Sequence, residues 1–123
     1  MSRPVLIPSD THPITVTPTG AEVVVRVGEV EIARSRDALS LAEADYPVVQ
    51  YLPIEDVDPD VLRPSEADSY CPFKGEASYY SVELPDGRRL DDVVWSYREP
   101  YDAVSGIAGR VAFYADRVEI AVG

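Results

Sequence analysis

The stretch EASYYSVELPDGRRLDDVVWSY, residues 76–97, decides the fold. Its two arms are dense in Val, Tyr and Trp, residues that suit a pleated, half-buried surface. Between them stands Pro85-Asp86-Gly87, in which proline presets the first turn torsion and glycine accepts the strained one. The pair therefore reads as an antiparallel hairpin. Trp95 and Tyr97, two residues apart on the second arm, fall on one face of it.

The same pattern extends in both directions. EVVVRVGEVEIARS, residues 22–35, alternates after Val24 and predicts a second hairpin turning at Gly28 and Glu29. PITVTP, residues 13–18, is bracketed by prolines, which cannot donate to a ladder, and reads as a short edge strand. PVVQYLP (47–53), GRVAFY (109–114) and RVEIAV (117–122) are further strand candidates, with Ala115 and Asp116 as a tight connection between the last two. DALSLAEADY (37–46) satisfies both helix and strand: its composition favours the first, the alternation of Leu39 and Leu41 the second. Residues 55–72, rich in Pro, Asp and Ser, predict irregular structure with one helical turn. The expectation is a mainly β chain, a compact single domain of two sheets or a partly open barrel with at most a short helical segment. Residues 1–20 read as an N-terminal extension carrying the edge strand, and 21–123 as the single β domain.

With 123 residues there is room for one core. Eleven basic residues against 22 acidic ones give a net charge of −11, which repels a phosphate backbone and argues against nucleic acid as a partner. No apolar run is long enough for a membrane helix, and the opening MSRPVLIPSDTHP has no apolar core or cleavage site of a secretory leader. Together with a single cysteine, this predicts a cytoplasmic protein.

Several chemistries lack their parts. Structural zinc takes about four Cys or His ligands, and the chain has one of each. DVDPDVLRPSEA (56–67) starts like a calcium loop but has Val61 where glycine is needed and Ala67 where a bidentate glutamate belongs. No glycine-rich phosphate loop accompanies Asp91 and Asp92, or Asp56 and Asp58, as a magnesium pair. The expectation is a chain without metal or cofactor. Cys71 reads first as a packed small side chain, since His12, the one candidate base, is distant in sequence and Lys74 is the nearer charge.

Aromatic residues concentrate in the second half, and this carries the functional expectation. If the face bearing Trp95 and Tyr97 lines a concavity with Arg26 or Lys74 at its rim, it forms a cage for a small planar or anionic ligand. The candidate pocket comprises Arg26, Asp56, Cys71, Lys74, Tyr79, Trp95 and Tyr97. In this reading the aromatics supply apolar contact, Lys74 or Arg26 an anchor for an anion, and Asp56 a hydrogen-bonding wall. Two other readings stand beside it: an enzyme acting on a nucleotide or phosphorylated small molecule through Lys74 and Asp56, and a structural or protein-interaction module.

GEVEIARSRDALSLAE (28–43), YLPIEDV (51–57), CPFKGEASYY (71–80), VWSYREP (94–100) and GIAGRVAFY (106–114), in this order and spacing, resemble the family called domain of unknown function 427. Leu52 stands where that family usually shows phenylalanine. The resemblance implies a compact β structure similar to the β-tent of cereblon's ligand-binding domain and methionine sulfoxide reductase B. The paired zinc cysteines of many such relatives are missing here. The family also carries a nucleotidyltransferase label, which no motif in this chain supports.

Overall fold

The computed structural model describes residues 4–123 and contains two antiparallel sheets. Ten strands are described: β1 Ile14–Pro18, β2 Val23–Val27, β3 Val30–Ser35, β4 Leu39–Glu43, β5 Val49–Pro53, β6 Leu62–Cys71, β7 Gly75–Glu83, β8 Arg89–Ser96, β9 Arg110–Phe113 and β10 Glu119–Val122. Seven of them form one sheet in the order β1-β4-β5-β9-β8-β7-β6, and β10-β2-β3 form the other. Short 3₁₀ turns occupy Ile54–Asp56 and Asp102–Ile107. No helix among the described residues is long and apolar enough to cross a membrane.

Local chemistry accounts for the connections. In the β7–β8 hairpin the Gly87 amide closes a turn on the Leu84 carbonyl at 3.0 Å, with Pro85 at its second position and Gly87 at φ 93°. Gly28 turns the β2–β3 hairpin at φ 59°. Residues 37–46, readable as helix or strand, hold β4. Leu41 is buried there, and its neighbours β1 and β5 satisfy the backbone on both sides, so tertiary context overrides helix propensity.

One expectation is corrected. Residues 62–71, expected to be irregular, form the ten-residue strand β6. It lies at the sheet edge with one neighbour, β7, and its pairing shifts between Pro64 and Asp68. An edge tolerates both the proline and the irregularity. Ala115 and Asp116 do form a tight connection, the Arg117 amide bonding the Tyr114 carbonyl at 3.0 Å, and it carries the chain from the large sheet to the small one.

The central strands of the seven-stranded sheet carry buried residues on both faces. On one face Leu52, Val94, Val111 and Phe113 pack against Val23, Val25, Ile32 and Ala33 of the small sheet. Alternation sends their neighbours Tyr51, Trp95, Tyr97 and Ala112 to the opposite face. There Val104 and Ile107, from the second 3₁₀ turn, cover part of the cluster. The uncovered part of that face is the site.

Candidate functional site: an aromatic-lined cavity

A cavity of about 360 Å³ opens on this second face. Leu41, Val49 and Pro47 supply aliphatic wall, Tyr46, Tyr51, Tyr79, Trp95, Tyr97 and Tyr114 aromatic wall, and Glu43 and Lys74 the charged groups. Register explains the convergence. Trp95 sits opposite Tyr79 on β7 and opposite Ala112 on β9, whose methyl is too small to cover the indole. Tyr97 follows two residues later on the same face.

Lys74 is delivered by a tight turn. Its amide bonds the Cys71 carbonyl at 3.2 Å, with Pro72 at the second position, and its own carbonyl accepts the Tyr101 amide at 3.0 Å. Gly75 closes the loop at φ 111°, a conformation that side chains with a Cβ rarely adopt, with the Glu99 carbonyl 3.5 Å from where such a Cβ would stand.

The Lys74 side chain, 11% exposed, pairs with Glu43, 13% exposed, through Nζ and Oε1. The other oxygen of Glu43 meets His12 Nε2 at 2.8 Å, and the His12 ring stacks on Phe73 at 4.1 Å. Burial pushes the Glu43 carboxyl up, but the hydrogen bonds from Lys74 and His12 outweigh it, and the net direction is downward. Glu43 therefore holds its charge at neutral pH.

The aromatic groups interlock. Trp95 Nε1 donates to Tyr51 Oη at 3.1 Å, with the rings edge to face at 6.4 Å and 88°. Tyr114 leans on Trp95 at 4.7 Å, and at the mouth Tyr79 Oη bonds Ser69 at 2.8 Å and Tyr114 at 3.5 Å. Burial pushes the Tyr51 phenol up to about 12. The Tyr97 phenol is pushed higher still, by burial first and then by the nearby Tyr51, Cys71, Tyr79 and Glu43. Tyr97 is 6% exposed and its hydroxyl has no hydrogen-bond partner among the described residues. That oxygen is not sealed in the core, so it faces the cavity.

Of the residues singled out from sequence, Lys74, Tyr79, Trp95 and Tyr97 line this cavity together. Cys71 is half-buried and packs on the cluster behind them, outside the lining. Arg26 lies on β2 of the small sheet beside Glu31 at 3.6 Å, and Asp56 accepts a hydrogen bond from Ser35 Oγ at 2.6 Å in the first 3₁₀ turn. Neither reaches the cavity. Glu43, Tyr51 and His12 were not among the expected site residues. Alternation could have found the first two, since Glu43 continues the face of Leu39 and Leu41, and Tyr51 that of Val49. Among the described residues no cluster of three or more His, Cys, Asp or Glu is arranged to hold a metal ion.

The molecule is thus an antiparallel two-sheet protein with an aromatic-lined hollow on the outer face of its large sheet. The chain belongs to the domain of unknown function 427 family, whose model, labelled NTP_transf_9, matches residues 15–123. No curated protein matches it. The matched span includes the whole cavity lining; His12 precedes it.

Proposed function

We propose that this chain is a small-molecule-binding domain whose ligand occupies the cavity between the Lys74 turn and the Trp95 strand. Trp95 and Tyr79 provide flat apolar walls, and Tyr97 provides a hydrogen bond from inside. The observation that carries this reading is the Tyr97 hydroxyl. It lines the cavity on a residue 6% exposed, no protein group engages it, and it is not sealed from solvent, so a ligand acceptor can take it up in exchange for water. A wall of tyrosines and one tryptophan around it gives the remainder of a recognition site its usual chemistry, mostly apolar with a few placed polar groups. The acid excess and the lone cysteine suit a cytoplasmic setting.

The reading of a nucleotide-processing enzyme has less support, because Asp56, its base or metal ligand, is engaged by Ser35 away from Lys74. The test is a melting-temperature screen against small aromatic and heterocyclic compounds, with EDTA present. Ligands should raise the melting temperature of the native protein and lose that effect in Trp95→Leu. Hits that stabilise both proteins equally would place binding elsewhere.

A further inference from the structure

We propose that the cavity selects an uncharged, flat molecule bearing a carbonyl-type acceptor, and discriminates against anions. This rests on the binding reading above and specifies what it would recognise.

The polar groups of the cavity sort into engaged and available. Lys74 is the natural anchor for an anion, but its ammonium is already neutralised by Glu43, and Glu43 is held from behind by His12. Arg26, the other expected anchor, belongs to the small sheet. Tyr79 and Tyr114 have each other and Ser69 at the mouth. Tyr46 stands at the exposed rim, and the available hydroxyl donors on the buried wall are two phenols. Tyr97 has no partner, and Tyr51 accepts from the Trp95 indole, which leaves its own proton to give. Neutral hydroxyl donors in a half-dry pocket suit a neutral acceptor, which can be bonded without bringing in a charge that needs its own counter-ion.

The local field points the same way. Burial and the neighbouring Glu43 both oppose ionisation of Tyr51 and Tyr97, and a ligand carboxylate beside those hydroxyls would meet the same opposition. Size and shape follow from the walls: about 360 Å³ is near the lower end of ligand sites and suits one or two fused rings against the Trp95 indole.

Trp95 is the only tryptophan, so its emission reports on this cavity alone. Benzamide, benzoate and benzylammonium are nearly the same shape and differ in charge. Titrated at neutral pH, benzamide should saturate the Trp95 signal at a concentration about tenfold lower than benzoate, and weaken about tenfold in Tyr97→Phe. That variant removes an oxygen with no protein partner and should keep the native melting temperature. Glu43→Gln, which releases the Lys74 ammonium, should strengthen benzoate.

Benzoate or benzylammonium binding as well as benzamide to the native protein would overturn the charge preference and leave the binding reading standing. Unchanged benzamide affinity in Tyr97→Phe, or no gain for benzoate in Glu43→Gln, would also overturn it. No response of Trp95 to any of the three would sink both the inference and the reading beneath it.

Discussion

The Trp95 indole is fixed by Tyr51: one hydrogen bond of 3.1 Å and an edge-to-face contact join strands β8 and β5 across the intervening β9. Tyr51 is 1% exposed, and both partners of the bond line the cavity. Tyr51→Phe should lower unfolding stability by about 1 kcal/mol and leave the indole N–H to the cavity. Urea unfolding followed by Trp95 emission checks both effects, and an unchanged midpoint would show that the bond contributes nothing.

Alkaline pH should destabilise the fold through the same residue. Burial pushes the native Tyr51 phenol up to about 12, above its usual value of 10.0. The raised value means that the fold favours the neutral phenol, so its contribution is complete below pH 10 and is lost as pH climbs through about 12. The loss at the top of that window is on the order of 2 kcal/mol. Phenolate absorbance should show part of the eight tyrosines ionising only with unfolding, and Tyr51→Phe should flatten the alkaline fall in melting temperature.

At the acid end Glu43 acts in the opposite sense. Its native pKa lies below the usual 4.5, so the stability it contributes is present above that value and lost as pH falls through the lowered one. Its pairing with Lys74 also predicts non-additive mutations. Glu43→Gln leaves the Lys74 ammonium without its partner and should cost about 2–3 kcal/mol, less than a fully sealed pair because both side chains keep an edge to solvent. The double variant Glu43→Gln with Lys74→Met should be more stable than Glu43→Gln alone, a comparison that chemical denaturation makes directly.

The lysine turn depends on one backbone angle. Gly75→Ala forces a Cβ into φ 111° and should destabilise by about 1–3 kcal/mol. Gly20→Ala, at φ 73° with open space around it, provides the comparison for strain without crowding. If the 3.5 Å approach to the Glu99 carbonyl matters, the Gly75 variant should lose more in denaturant midpoint than the Gly20 variant.

Much of this architecture was legible because hairpins carry local signals. Pro85-Asp86-Gly87 and Gly28-Glu29 turn the chain where turn chemistry says they should, and the alternation on either side assigns faces. Trp95, Tyr97, Tyr79 and Lys74 were legible as a group for the same reason, each lying on or beside such a hairpin. β6 was hidden because Pro64, Ser65, Asp68 and Ser69 are poor strand formers, and only an edge position with one neighbour reconciles them with a ladder. Glu43 was hidden among 22 acids on a segment of undecided type, and its importance comes from Lys74 and His12, each 31 residues away in sequence. Arg26 and Asp56 failed for the converse reason: plausible chemistry, but on the wrong sheet and in the wrong turn.

The most direct test follows amide and indole resonances by two-dimensional ¹⁵N NMR while a stabilising ligand from the melting screen is added. Shifts should concentrate on the Trp95 indole N–H and on the backbone of Lys74, Tyr79 and Tyr97, with β2 and the Asp56 turn undisturbed. Shifts gathered instead around Tyr70 and Arg98, or on the small sheet, with the Trp95 indole unmoved, would contradict binding in this cavity.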